Sequence, residues 1–196
     1  AATAVIGNVA ALTDHKGQIY LVRAAAELRR RFEVEPGGNG EMEYNDFRIA
    51  IAGEGEERPR LEAEIRRLNL ERHVRLLGWR DDVPDCLAAF DVFCLPSHLE
   101  GLGTAMLDAM WMSLPVVASR AGGIPDVLTD GENGLLVPPR DPEALAAALF
   151  RCLRDRALRA RLASAARQTI EQRFTADRMV EGTLAVYSKI INKSGA

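Results

Sequence analysis

Apolar residues in this chain fall in short unbroken runs, and between the runs they recur at helical spacing. The runs cover 4–9, 47–52, 74–77, 92–95, 116–119 and 134–137. None alternates cleanly with polar residues, which is the pattern of strands buried on both faces of a parallel sheet. Helical spacing predicts a helix over about 17–31, with Leu21, Ala24, Ala25 and Leu28 on one stripe. Another starts near Arg58 with Leu61, Ile65 and Leu68 inward, followed by a short one over 83–89. A fourth opens at 100–104 and runs to about 112, and a short fifth covers 124–128. Asp141-Pro142 reads as an N-cap with proline at the first helical position, and Leu145, Leu149 and Leu153 follow it on one face. Helices over about 156–172 and 176–192 complete the chain. The polar stretch 33–46, with Pro36-Gly37-Gly38, is a candidate insertion or disordered loop. Strand–helix alternation of this kind predicts an α/β fold. It would be a three-layer, Rossmann-like domain of about six parallel strands with helices on both faces.

In such sheets ligands bind outside the carboxyl ends of the strands. The polar and glycine-rich segments fall there: Lys16-Gly17, Gly53-Glu54-Gly55, Gly78-Trp79, Glu100 to Thr104, and Gly122-Gly123. The most informative stretch is FCLPSHLEGLGTAMLDAMWMSLPVVASRAGGIPD, residues 93–126. A helix opening at Glu100-Gly101-Leu102-Gly103-Thr104 offers free N–H groups and the positive end of its dipole to an anion. Glycines at 101 and 103 would let a phosphate approach the backbone. Asp108 lies one turn beyond Thr104 on the same face. A diphosphate on the amides, with an acid at either end reaching hydroxyl groups, would suit a sugar nucleotide. From spacing alone, a plain structural turn with a capping acid fits equally well.

Composition narrows the field. The chain has 196 residues, 47% of them hydrophobic, and a formal net charge of −3, which gives no electrostatic case for nucleic acid. No apolar run approaches the ~18 residues of a membrane span. The opening AATAVIGNVAAL lacks the basic leader of a signal peptide and has no Met, so a piece of a longer chain is expected. Cys86, Cys94 and Cys152 are odd in number, fit no zinc spacing and sit among apolar neighbours. They read as buried thiols in a reducing, cytoplasmic setting.

Several alternatives fall away. Gly101 and Gly103 begin a G-x-G pattern, but Met106 follows and no acid lies ~20 residues on, so a nicotinamide dinucleotide is not expected. No P-loop is present, and Ser97 lacks the G-x-S-x-G elbow of a hydrolase nucleophile. Lys16 is either a point charge for a phosphate or an ordinary exposed lysine. Gly53 and Gly55 would admit a base or phosphate, or form a plain turn. Trp79 would stack on a base or merely pack, and His98 has a ligand reading and a loop reading. His15 and His73 read as surface residues, Trp111 and Met112 as core. The arginines from 154 to 167 read as a solvated helix face, with a membrane-surface role the minor reading.

At this point the residues resemble a known family. PSHLEGLGTAMLDAM, followed by LPVVASRAGGIPDVLTDGENGLLVPPRDPEALAAAL, is similar to the C-terminal, donor-binding domain of retaining GT-B glycosyltransferases of family 4 (glycosyl transferases group 1). The order Lys-Gly, Gly-x-Gly, Leu-Gly, Pro-Ser-x-x-Glu-Gly, Pro-Val-Val-Ala and Gly-Gly-x-Pro carries the likeness over nearly the whole chain. The resemblance implies that Lys16 contacts the donor diphosphate and Glu100 the donor sugar. Gly101, Leu102, Gly103 and Thr104 would hold sugar and phosphate through the backbone, and Asp108 the ribose hydroxyls. Gly78 and Trp79 would lie beside the base. It implies a nucleoside-diphosphate sugar as donor, no cofactor and no metal. It also implies a saccharide or lipid-linked acceptor bound through an N-terminal domain not in this sequence, and a final helix crossing back to that domain. A role in cell-envelope or polysaccharide synthesis follows, in the cytoplasm, with attachment to the inner membrane face as a further option. Three residues depart from the pattern: Ala11 where an arginine is usual, Asp108 where Glu is usual, and Asp126 for Glu. The first two leave a non-catalytic sugar-nucleotide module open as an alternative, and a GT-B-type epimerase is a third.

Overall fold

The strands β1 (Ala2–Val9), β2 (Tyr44–Ala52), β3 (Val74–Gly78), β4 (Val92–Leu95), β5 (Val116–Ser119) and β6 (Leu135–Val137) form one parallel sheet in the order 3-2-1-4-5-6. The structure, a computed structural model, describes residues 2–35 and 43–194, with side chains through residue 191. Helices α1 (Gln18–Val34), α2 (Arg58–Arg67) and α6 (Pro142–Arg154) cover one face. Helices α3 (Val83–Ala88), α4 (Thr104–Trp111), α5 (Ile124–Val127) and α7 (Arg156–Arg173) cover the other. The expected three-layer Rossmann-like architecture is therefore present. Both faces of β4 and β5 are buried, which is why their apolar runs do not alternate.

Most boundaries lie within a few residues of the expected ones. Strand β2 begins earlier because Tyr44 is buried and its hydroxyl donates to Asp91 Oδ1 (2.8 Å). Polar Asn45 and Asp46 hid that extension. Burial, and then the hydrogen bond to Asp91, push the Tyr44 phenol up to about 12. The polar segment expected over 33–46 shrinks at both ends, and its middle, 36–42, lies outside the described residues. Asp141 caps α6 by accepting from Ala144 N (2.9 Å), and Asp155 caps α7 by accepting from Leu158 N (2.8 Å), each worth about 1 kcal/mol.

The arginines of 154–167 are not one solvated face. Arg159 is buried, donates to the Cys152 and Leu153 carbonyls (3.0 and 2.7 Å), pairs with Glu43 and lies over the Tyr44 ring. Arg154 lies over Phe32 and Phe150. Trp111 is exposed rather than core, with the Arg167 guanidinium 3.6 Å from its ring centroid. Met112 is partly buried. His15 is exposed as expected, but His73 is half-buried and stacks on Phe47 (4.7 Å). All three cysteines are buried and free. Helix α8 (Ala176–Ser194) exposes every described side chain, including Met179, Val180, Leu184 and Tyr187. No helix among the described residues is long and apolar enough to cross a membrane.

Glu64 joins α1 to α2. It accepts from Arg67 Nε and Nη2 (2.8 and 2.9 Å) and Arg23 Nε (2.7 Å). The Arg67 hydrogen bonds, against the opposing effect of burial and with help from Arg23, hold its carboxyl down at about 2. A depressed carboxylate adds stability above its unfolded value, and that stability is lost as pH falls through the folded one. Glu64→Gln should therefore lower unfolding free energy at pH 7 by on the order of 1 kcal/mol, since both arginines are largely solvated. The deficit should shrink between about pH 4.5 and 2. Urea titrations of both proteins across that range check it; a deficit independent of pH contradicts it.

Candidate functional site

A 3-2-1-4-5-6 sheet reverses its winding between β1 and β4, and a crevice opens at that point beyond the strand ends. The loops after β1 and β4 meet there. Gly17 adopts φ +70°, and a Cβ on it would sit 2.2 Å from the Pro96 carbonyl oxygen. The amide of His98 donates to the His15 carbonyl (3.0 Å). This contact places Lys16, at the end of a single 3₁₀ turn (Asp14–Lys16), beside the loop that carries Glu100.

The two side chains pair directly. Lys16 Nζ donates to both Glu100 oxygens (2.8 and 3.0 Å), and Ser97 Oγ donates to Glu100 Oε2 (3.0 Å). The Glu100 side chain is 8% exposed and that of Lys16 23%. They line a cavity of about 400 Å³ together with Leu102, Gly103, Thr104 and Ala105. Gly103 precedes α4 in the left-handed conformation, at φ +72°. Met106 N is the first amide of α4 to find a backbone acceptor, the Gly103 carbonyl (2.8 Å). The preceding amides, of Thr104 and Ala105, belong to residues lining the cavity. A lysine and a helix N-terminus on one cavity suit a multiply charged anion.

Val9, Ala10 and Ala11 line this cavity and also a neighbouring one of about 200 Å³. The second is walled by Ala52, Gly53, Glu54, Trp79, Arg80 and Val83. Trp79 is 78% exposed, so its ring is free to stack on a flat group. Of the residues singled out by sequence, Lys16, Glu100, Leu102, Gly103 and Thr104 meet at the larger cavity, and Gly53 and Trp79 at the smaller. Gly55, Gly78, Gly101 and Asp108 line neither. Gly101, ahead of α4, and Asp108, within it, are both exposed.

Other glycines serve backbone packing. A Cβ on Gly53 would lie 1.9 Å from the Ala10 carbonyl oxygen and one on Gly55 2.2 Å from that of Leu12. Gly78, at φ +79°, accepts the Gly53 amide (2.8 Å). Gly122, at φ +52°, would place a Cβ 1.8 Å from the Glu100 carbonyl oxygen, and Gly123 N donates to that same oxygen (3.1 Å). The loop after β5 thus braces the Glu100 loop from behind. The sequence pattern shows Ser97 only as an excluded nucleophile and a motif position and Glu54 only as part of a turn segment, and it does not single out Arg80 or Ala10. The Pro-Ser-x-x-Glu spacing was the available signal for Ser97.

The family model described as glycosyl transferases group 1 matches residues 2–169. The chain is 32% identical over 180 residues to the lipopolysaccharide core biosynthesis glycosyltransferase LpsE of Rhizobium meliloti, covering 92% of this chain and 48% of that protein. It is 32% identical over 188 residues to alpha-D-kanosaminyltransferase of Streptomyces kanamyceticus, covering 94% and 45%. Among solved structures it is similar to Anabaena HepE in complex with UDP and glucose, with TM-score 0.82 and 29% identity over 95% of this chain and 48% of that one. The chain spans about half the length of these proteins.

The brace from Gly122 gives a direct test. Gly122→Ala must displace backbone and should destabilise the chain by about 2 kcal/mol. Gly101→Ala meets nothing within 4 Å and should stay within about 0.5 kcal/mol of the parent. Equal stabilities in denaturant titrations would contradict the assigned contact.

Proposed function

Since the chain belongs to the glycosyl transferases group 1, matched over residues 2–169, we propose that it is the donor-binding half of a retaining glycosyltransferase of the GT-B type, family 4. It would act with a second, acceptor-binding domain to move a sugar from a nucleoside diphosphate to an acceptor hydroxyl, keeping the anomeric configuration. The observation that carries this reading is the Lys16–Glu100 pair facing one cavity with the α4 N-terminus. Lys16 and the Thr104 and Ala105 amides would take the diphosphate and stabilise its charge as the bond to the sugar breaks. Glu100 would accept from sugar hydroxyls, and Asp108 would reach the ribose. The base would enter the smaller cavity beside Trp79. None of these roles calls on a bound cofactor or metal.

The neighbouring HepE structure with UDP and glucose supports a nucleotide-sugar donor, and the lipopolysaccharide core biosynthesis named for LpsE supports a role in cell-envelope synthesis, where the acceptor would be a saccharide or lipid-linked sugar. The exposed apolar side chains Met179, Val180, Leu184 and Tyr187 of α8 would be covered by the second domain, in the cytoplasm or at the inner membrane face. Ala11 lines both cavities and brings no charge to them; this favours, as a second reading, a module that binds sugar nucleotides without turning them over.

A thermal-shift panel of UDP-, GDP- and ADP-sugars tests binding, because a ligand of the folded state raises Tm by mass action. One of them should raise Tm by several degrees, and Lys16→Met should weaken that ligand at least tenfold. No shift with any of them contradicts the proposal. With the complete protein, the anomeric coupling of the product by NMR separates a retaining transferase from an inverting one, and absence of product favours the binding module.

A further inference from the structure

Glu100 is held from two sides, and only one holder is free to leave. Lys16 Nζ gives two of its three protons to the carboxylate. If Lys16 serves the diphosphate, as proposed above, those hydrogen bonds must be shared or broken when the donor arrives. Ser97 has no such competing duty. Its side chain sits at the end of β4, fully buried at 0% exposure, and its hydroxyl donates to Glu100 Oε2 at 3.0 Å. Glu100 is the hydroxyl's one partner among the described residues. The backbone around it is fixed as well. Pro96 lies under Gly17, His98 N is bonded to His15, and the Glu100 carbonyl is taken by Gly123. One rotatable side chain on a fixed backbone, tied by one buried hydroxyl, keeps a single orientation.

We propose that Ser97 is a positioning residue for sugar recognition: its hydroxyl holds the Glu100 carboxylate toward the donor sugar when Lys16 turns to the diphosphate. The proposal rests on the nucleotide-sugar reading of this site. It assigns Ser97 no contact with the donor. It separates the two ends of the ligand, because Ser97 then matters for the sugar and not for the nucleotide.

The test is calorimetric titration with a nucleoside diphosphate and with the matching nucleotide-sugar: UDP and UDP-glucose, GDP and GDP-mannose, or ADP and ADP-glucose, whichever pair the parent chain binds. Ser97→Ala should weaken the nucleotide-sugar roughly tenfold, the scale of one hydrogen bond to a charged group, and leave the nucleoside diphosphate within about twofold. Ser97→Thr keeps the hydroxyl and should recover most of the loss. In a Glu100→Gln background, Ser97→Ala should cost little further, since a residue acting through another is not additive with it. Equal affinities of parent and Ser97→Ala for the nucleotide-sugar would overturn the inference while leaving the site reading intact. So would an equal loss for both ligands, which marks a general structural role. A parent chain that binds no member of any pair overturns the site reading and this inference with it.

Discussion

Backbone-to-backbone contact between loops is the constraint on which this structure depends. At the carboxyl end of the sheet the loop after β1 lies on the loops after β2 and β4, and the loop after β5 lies on the loop after β4. Each contact brings a carbonyl oxygen to within about 2 Å of where a Cβ would stand, a separation that only glycine allows. Gly17, Gly53, Gly55, Gly122 and Gly123 therefore fasten the loops to one another at a fixed spacing. Without that spacing the Lys16 ammonium and the Glu100 carboxylate, 84 residues apart in sequence, would not share a cavity.

Holding opposite charges half-buried has a chemical consequence. A carboxylate at 8% exposure is costly unless it is paired and hydrogen-bonded, and Lys16 and Ser97 provide both. The same pair leaves the cavity lining close to neutral. A diphosphate bound as proposed would compete with Glu100 for one ammonium, and part of its binding energy would go into dividing that pair. On the same reading the α4 amides would face no such competition and would offer the anion a fixed seat.

Much of this was legible in the sequence, for identifiable reasons. The six apolar runs gave the strands because strands buried on both faces must be apolar throughout. The glycine-rich segments mapped to one edge because parallel strands all end there. Lys16 and Glu100 stand out in the sequence through motif order, and the structure pairs them. What the sequence hid was partnership. Glycines 53, 55 and 122 read as openings for a ligand or simple turns, yet they pack against backbone, since a local pattern does not reveal which distant carbonyl comes near. The arginines at 154, 159 and 167 read as solvated because a charge count does not show the aromatic rings beneath them. The apolar run of β2 is shorter than the strand because Asn45 and Asp46 interrupt it.

The central claim is that the joined loops seat a diphosphate between Lys16 and the first amides of α4. Backbone amide NMR of the labelled chain, titrated with the nucleoside diphosphate it binds, tests this most directly. The account predicts that the largest shift changes fall on residues 10–17 and 100–106, with the amides of Thr104 and Ala105 among them. Changes centred instead on the opposite end of the sheet, around Tyr44 and Asp91, would contradict it.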